Sequence, residues 1–391
     1  MLTSNHFYLL SLLRAILSDE ETPPLPQDGN WLAVIHLAVR HDVFLLVFDR
    51  VGQLDEVKAL AQYPELSERF LKTTMKSMNQ SWEIGHLADL MDSAEIPHLF
   101  LKGSFLRNSY PKPELREMCD IDLLVPPERE ADAIRLVKAD GYEMQEELTT
   151  SHNTEHFKPP YQVVELHTRL VPKDSPHSAY YDRIWERILP KKEGYSCDLS
   201  LEEQYIYLIV HMAKHYYAAG TGIRSVLDVA VFEKTYGARL DRAYLKKAFE
   251  ELRLTEFADN VALLAKHWFL GGPSVSLSAE QRRMHDAILS ATTYGTDERK
   301  KSLILKEEMA GGKSQKRAKL HLFFAKIFPN YRFMIGWYPP LARFPFLLPI
   351  IWVVRWFVLL AREPQKLAQH YRWVRSVHLM DDDKEELAEK K

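Results

Sequence analysis

Residues 101–127 read LKGSFLRNSYPKPELREMCDIDLLVPP, and the patterns within them predict the centre of the fold. Near its end, acidic and aliphatic residues alternate over residues 119–125, which is typical of a strand whose two faces meet different surroundings. Asp120 and Asp122 are two positions apart and therefore project from one face, while Ile121 projects into the opposite, buried face. The pattern predicts a strand that carries two neighbouring carboxylates.

Two neighbouring carboxylates repel each other unless a cation compensates them or one of them takes a proton. Hard cations such as Mg²⁺ and Mn²⁺ favour oxygen ligands, and Mg²⁺ usually takes one or two carboxylates together with substrate phosphates. Glu165, in the apolar run YQVVELHT of residues 161–168, offers a third acid. We expect Asp120, Asp122 and Glu165 to hold the cation; the alternative is that the acidic pair is only a polar strand face.

Short apolar runs surround the acidic strand and alternate with one helical stretch. Gly141 follows that stretch where a helix cap is expected, and Lys102-Gly103-Ser104 forms the turn after the first run. The predicted strands are residues 97–101, 119–125, 142–148 and 161–168, and the predicted helix is 128–139. This order predicts a small mixed-sheet α/β core over residues 95–177.

Helical periodicity dominates most of the remaining chain, because aliphatic residues recur there at three- and four-residue spacing. We expect an α+β protein in which a helical N-terminal region, 1–94, and a helical domain over the cleft, 178–298, flank the core. Helices are predicted at residues 66–94, 201–219, 224–236 and 254–269.

The C-terminal region, 299–391, combines three different compositions. Residues 300–319 are basic and contain glycine, which favours an exposed linker, and residues 381–391 form a charged tail. Residues 344–361 read FPFLLPIIWVVRWFVLLA. Arg355 makes a membrane span costly there, so we expect an aromatic amphipathic segment that packs on the protein or lies at a membrane surface.

Composition excludes several classes of protein. Hydrophobic residues make up 46% and charged residues 27%, as in an ordinary folded protein, and the net charge of -3 gives no global basic field for long nucleic acid. Cys119 and Cys197 lie far apart, without the spacing of a zinc site, and suit a reducing compartment. No signal-peptide pattern is visible at the N-terminus. We expect a cytoplasmic protein, either free or peripheral at the inner face of the membrane.

The chain resembles the uncharacterised nucleotidyltransferases of the polymerase-beta-like superfamily. The shared motifs are a Lys-Gly turn, a proline-bearing loop, Arg-x-Met-x-Asp-x-Asp-Leu-Leu-Val at residues 116–125, and Val-Glu-Leu-His at residues 164–167. The similarity is close over residues 96–168 and looser over residues 211–228. Two features depart from the pattern: the glycine turn lies farther from the acids than is usual in the superfamily, and Cys119 replaces a glycine.

The resemblance implies roles for the residues of these motifs. Gly103 and Ser104 match the turn whose backbone N–H groups face a triphosphate. Asp120 and Asp122 match the paired metal ligands, and Glu165 matches the third acid, which helps to activate the incoming hydroxyl in related enzymes. The implied activity is metal-dependent transfer of a nucleoside monophosphate from a triphosphate such as ATP to an acceptor hydroxyl, with release of pyrophosphate.

Three further residues near the motifs are candidates for the same site. Lys102 either contacts the β or γ phosphate or is a solvated lysine at a strand end. Arg116 either pairs with phosphate or locks the acidic loop through a bidentate contact to a carboxylate. His167 shares the face of Glu165, and it either orients that carboxylate, contacts substrate or is an interior histidine with a hydrogen-bond partner.

The helical part after the core adds further candidates. His211, Lys214 and His215 lie on one side of a predicted helix, and Arg224 and Asp228 are four apart on the next. The resemblance suggests that these helices close over the cleft. Lys214 or Arg224 would then contact nucleotide, and Asp228 would pair with one of these two basic side chains. His211 would contact the residues that bind the substrate rather than the substrate itself.

Two alternatives to catalysis are open at this point. The protein could keep the fold as a nucleotide-binding protein with little turnover. It could also act as a membrane-surface partner in a biosynthetic pathway, with residues 344–361 as the docking segment. The sequence identifies neither the acceptor nor the preferred base.

Overall fold

The computed structural model describes residues 2–145, 153–192, 194–271, 276–292, 297–309, 314–329, 331, 334, 338, 340–362 and 376–378. The chain divides into two compact units. One is Met1–Tyr217 with Thr221–Tyr294, and the other is Ala218–Gly220 with Gly295–Lys391. The first unit contains the sheet and the predicted site.

A five-stranded sheet lies within the first unit, in the order β1-β2-β5-β4-β3. The strands are β1 Leu99–Phe100, β2 Ile121–Leu124, β3 Glu143–Met144, β4 Asn153–Lys158 and β5 Gln162–His167, and a separate pair is β6 Leu189–Pro190 and β7 Cys197–Asp198. β2 and β5 run parallel, and the other neighbouring pairs of the sheet are antiparallel. The predicted α+β class with a small mixed sheet is confirmed. The strand predicted at 142–148 is described only as far as residue 145.

Helices pack around the sheet in the same unit. α1 to α7 are Ser4–Ser18, Trp31–Arg40, Phe44–Val51, Asp55–Lys58, Tyr63–Ser93, Gly103–Leu106 and Glu130–Ala139. α8 to α13 are Ser178–Tyr181, Leu201–Ala218, Ile223–Tyr236, Arg242–Glu251, Thr255–Phe269 and Ala279–Ser290. The helices predicted from periodicity are present, with small differences at their ends. Gly141 follows α7 with a φ of 92°, the left-handed conformation expected of a glycine cap.

One face of the sheet is buried under α5 and α7. Ile121 and Leu123 of β2 and Val164 of β5 have no exposed surface, and they pack with Leu87 of α5 and Val137 of α7. Burial of this apolar layer excludes water from one side of the parallel strand pair and fixes which side chains point away from it. The acidic residues therefore face the other side, as the alternating pattern predicts.

The three predicted regions of the first unit share one hydrophobic cluster. Leu9 of α1, Leu124 of β2 and Phe232 of α10 belong to one continuous hydrophobic cluster. The apolar faces of the N-terminal helices pack against those of the later helices and against the sheet. The helices before and after the sheet therefore share one core. The cluster contains residues from each of the predicted regions 1–94, 95–177 and 178–298.

The second unit contains α14 Asp297–Met309, α15 Gln315–Ile327, α16 Pro340–Arg343 and α17 Leu348–Arg362. The linker predicted over residues 300–319 is wrong, because most of these residues lie in α14 and α15. Leu305 and Ala318 are fully buried in a small cluster with Val377. The few apolar residues among the charges are enough to form a packed face, which composition alone did not reveal.

The aromatic segment is helical in its larger part. A short 3-10 turn, Pro345–Leu347, precedes α17. The indole N–H of Trp352 donates to the carbonyl of Pro329 at 2.9 Å, so one side of α17 packs within the second unit. Among the described residues, no helix has both the length and the apolar character needed to cross a membrane. The charged tail predicted at 381–391 lies outside the described residues.

Candidate active site

The parallel pairing of β2 with β5 sets the positions of the acids. Asp122 and Glu165 are direct neighbours in the register of the two strands. The preceding pair, Ile121 and Val164, is buried in the opposite layer, so both carboxylates point to the cleft side. Asp120 directly precedes β2 and alternates with Ile121. The three acids predicted from the sequence are therefore brought to one end of the parallel pair.

Three side chains contact the carboxylates of Asp122 and Glu165. Nε2 of His167 lies 2.8 Å from Oδ1 of Asp122 and 3.2 Å from Oε2 of Glu165. Nζ of Lys102 donates to Oδ1 of Asp122 at 2.7 Å, and Nδ2 of Asn153 donates to Oε2 of Glu165 at 2.8 Å. Donor atoms of Asp122, Glu165 and His167 lie within 4.8 Å of one another, close enough to share one cation. His167 therefore orients both acids.

Asp120 differs from the other two acids. Among the described residues, the group that could share a cation does not include its carboxylate. Burial and the charge of Asp122 raise the pKa of Asp120 to about 6. Burial also opposes ionisation of Asp122 and Glu165, but Lys102 and His167 outweigh it for Asp122, and mainly His167 does so for Glu165, so both pKa values are lowered. The site thus holds two firmly ionised carboxylates beside one that takes a proton more readily.

The Lys-Gly-Ser turn lies beside the acids. Lys102 adopts a φ of 47° at the bend between β1 and α6. It is not a solvated strand-end lysine, because its side chain is only 16% exposed and contacts Asp122. Gly103 lines the cleft, whereas the N–H of Ser104 donates to the carbonyl of Leu101 at 3.1 Å and its side chain is buried. Of the two N–H groups expected to face a triphosphate, that of Ser104 is thus engaged inside the turn.

Arg116 makes the bidentate contact that the sequence offered as one alternative. Its Nε and Nη2 donate to Oδ1 and Oδ2 of Asp228 at 2.9 and 2.7 Å. The hydroxyl of Tyr110 donates to Oδ1 of the same carboxylate at 2.6 Å. Asp228 thus pairs with Arg116, where the sequence led us to expect Lys214 or Arg224. The loop before β2 and helix α10 meet at this point, and a planar guanidinium matches both carboxylate oxygens.

Helices α9 and α10 supply the opposite wall. His211, Lys214 and His215 of α9 and Arg224 of α10 all line the cleft. The Nε2 atoms of His211 and His215 lie 3.1 Å apart, and Nη1 of Arg224 lies 3.1 Å from Oδ2 of Asp42. Lys214 is exposed at the rim, and partial desolvation lowers its pKa. The helical wall faces the acids across the cleft.

The two walls bound a cavity of about 400 Å³. Tyr207 and Asn153 also line it, and sequence reasoning did not single out either residue. Tyr207 lies one helical turn before His211 on α9, so helical spacing could have indicated it. Asn153 reaches Glu165 only because β4 pairs with β5, and no local pattern signals that contact.

The mixed sheet, its acids and the facing helical wall fit the class of nucleotidyltransferases. The sequence pattern that defines the uncharacterised nucleotidyltransferase family matches residues 27–270, and the chain belongs to this family. A solved structure of the antibiotic-resistance factor ANT(2'')-Ia is similar over 49% of this chain and 98% of that chain, with 14% identity and a TM-score of 0.33. No curated protein matches the chain. The family match alone carries the assignment, and the general activity of the family is nucleotidyl transfer.

Proposed function

We propose that this protein transfers a nucleoside monophosphate from a triphosphate such as ATP to an acceptor hydroxyl, with Mg²⁺ or Mn²⁺ as the cofactor. The observation that carries the proposal is the register of β2 and β5, which places Asp122 beside Glu165 at one end of a cavity. Family membership supports the transferase part. The expectation of a cytoplasmic protein without long nucleic acid as its partner stays part of this proposal.

The residues present fit a divalent cation. Asp122 and Glu165 offer oxygen donors, and their ionised state suits a hard cation that also binds phosphate. Asp120 lies near enough for its charge to act on both. Like charges buried together call for a compensating cation. When bound there, the cation would stabilise the negative charge that develops on the phosphate oxygens.

The side chains of the cleft would position the reacting groups. Glu165, held by Asn153 and His167, would orient the acceptor hydroxyl, and Lys214 would contact the phosphates from the opposite wall. The acceptor oxygen would bond to the α phosphorus as the bond to the bridging oxygen of pyrophosphate breaks. The hydroxyl proton would pass to a carboxylate of the site. Such positioning in a fixed, partly desolvated cleft is the main source of rate acceleration in this chemistry.

Substitution of the paired aspartates tests the proposal. Purified protein, Mg²⁺, triphosphates labelled at the α phosphate and cell extract should yield a labelled acceptor and free pyrophosphate. D120A and D122A should each lower this turnover by roughly 10³-fold, because each removes a carboxylate that would help to hold the cation, and the cation would stabilise the transition state. D132A, at a partly exposed aspartate of α7, is the matched control and should leave turnover unchanged.

Two results would speak against the proposal. Undiminished metal-dependent turnover in D120A and D122A would remove the acids from the reaction. Binding of triphosphate by the wild-type protein without any consumption of it would instead favour a nucleotide-binding protein of little turnover. Circular dichroism of each variant checks that the fold is intact.

We also propose that the second unit attaches to the inner surface of the membrane. Phe346, Ile350 and Val353 are 73%, 58% and 55% exposed. Ile350 and Val353 lie three apart on α17, and Phe346 lies in the turn before it; exposed apolar side chains of this kind suit the interface of a bilayer. The full chain should sediment with vesicles that contain anionic lipid, and an I350S/V353S variant should sediment several-fold less. Equal recovery of both proteins with the vesicles would contradict this role.

A further inference from the structure

The ammonium group of Lys102 lies on the carboxylate that is proposed to bind the metal. Its Nζ is 2.7 Å from Oδ1 of Asp122, and the two side chains are 16% and 5% exposed. The same oxygen accepts from Nε2 of His167 at 2.8 Å. The ring of Tyr207 lies on another side of the ammonium, with its centroid 5.9 Å from Nζ. Lys102 is thus enclosed against Asp122 rather than extended into solvent.

The backbone ties Lys102 to the same aspartate. The N–H of Leu101 donates to the carbonyl of Asp122 at 3.1 Å, and the carbonyl of Lys102 accepts from the N–H of Leu106 at 2.9 Å. The bend at Lys102 therefore follows a residue that is hydrogen-bonded to Asp122 itself, and this backbone contact places the Lys102 side chain beside the Asp122 carboxylate. The contact is built into the turn.

A divalent cation on Asp122 would lie next to this ammonium. The two cations would share one carboxylate, and charges a few ångströms apart in a partly buried site repel strongly. Burial favours the neutral amine, but Asp122, Tyr207 and Asp120 together raise the pKa of Lys102, so the ammonium keeps its charge. Metal and Lys102 therefore compete for Asp122.

The two arginines of the cleft are held differently from Lys102. Arg116 is fixed to Asp228 by two hydrogen bonds, and Arg224 contacts Asp42 as well as the carbonyl of Glu117. Lys102 has a flexible stem and one hydrogen bond to a carboxylate, so it can change partners at lower cost. The nearest alternative anion in a nucleotide-bound cleft would be a phosphate.

We propose that Lys102 is a placeholder cation, which compensates Asp122 until metal and triphosphate bind together and which then moves to the phosphates. The inference rests on the proposed function and adds an order of binding to it. Metal alone should bind weakly, because it has to displace the ammonium without offering it another anion. A triphosphate offers that anion, so metal and nucleotide should strengthen each other's binding by the same factor.

Binding of Mn²⁺ to the full chain tests this inference without any turnover. Mn²⁺ affinity is measured by titration calorimetry, alone and with α,β-methylene-ATP, for the wild-type protein, K102M, K102Q and K112M. K102M and K102Q should bind Mn²⁺ alone roughly ten-fold more tightly than the wild type, and they should lose most of the coupling to nucleotide. K112M is the matched control, because it removes an ammonium from a surface pair with Asp49, and it should behave as the wild type.

Thermal unfolding supplies a second measurement. Without Mn²⁺, K102M should melt at a lower temperature than the wild type, since Asp122 loses its compensating charge, and Mn²⁺ should raise its melting temperature more than that of the wild type. K102Q keeps a hydrogen-bond donor and serves if K102M does not fold. The inference is overturned if neither variant binds Mn²⁺ alone more tightly, or if either retains the wild-type coupling. The variants could bind Mn²⁺ more tightly while the wild-type protein consumes no triphosphate. That combination would support the inference and contradict the proposed function.

Discussion

Two buried ion pairs in the cleft use the same chemistry in different ways. Asp122 meets Lys102 through one hydrogen bond, and the accepting oxygen is shared with His167. Asp228 meets Arg116 through two hydrogen bonds, with Tyr110 as a third donor. The first pair can exchange its cation, whereas the second is closed by its geometry. The number of contacts and the flexible stem of lysine together separate the exchangeable pair from the structural one.

The two pairs also connect different distances along the chain. Lys102 and Asp122 are 20 residues apart and lie on the turn and strand of one sheet edge. Arg116 and Asp228 are 112 residues apart, so their contact joins the loop before β2 to helix α10. The second pair therefore holds the acidic wall against the helical wall, and the first pair works inside that frame.

The largest difference between the pairs should appear in stability. D228N leaves the guanidinium of Arg116 buried without its anion and should lower the free energy of unfolding by at least about 3 kcal/mol. D122N should have a smaller effect, because Lys102 can turn towards the open cavity. Urea unfolding of both variants at neutral pH measures the difference. Equal losses in the two variants would break the distinction between an exchangeable and a structural pair.

A smaller effect should follow from crowding the structural pair. A Cβ built on Gly103 overlaps Nη1 of Arg116 and comes within 3.1 Å of Cγ of Met118. G103A should therefore displace Arg116 and lower the free energy of unfolding by about 1–3 kcal/mol. G85A is the matched control, since nothing lies within 4 Å of its added Cβ, and in the interior of α5 it should be neutral or stabilising. A stable G103A would mean that Arg116 is not tightly held.

The acidic strand could be predicted from the sequence, because the alternation that marks it is visible in adjacent residues. Alternation in residues 119–125 gave the face of Asp120 and Asp122, and a second apolar run indicated Glu165. The contacts that close the site depend on chain segments far apart in sequence. No spacing rule connects Arg116 with Asp228, and the partner of Lys102 depends on how the bend after β1 meets β2.

The prediction made from composition alone, without knowledge of packing, differs from the structure. The charged stretch at residues 300–319 has the composition of a linker, yet most of it lies in α14 and α15. Leu305 and Ala318 are buried there in a cluster with Val377. The three regions predicted within residues 1–298 also contribute to one hydrophobic cluster, which the sequence did not indicate. Amphipathic periodicity shows that a helix needs a partner, and it does not show which one.

The register between β2 and β5 has a consequence for how this chain could tolerate change in length. The spacing of Asp122 and Glu165 in space is set by backbone pairing, so changes of length outside the two strands would not move either acid as long as this pairing is kept. A slip of one residue inside β5 would be far more disruptive, since it would set Val164 or Leu166 beside Asp122 and turn the glutamate towards the apolar layer.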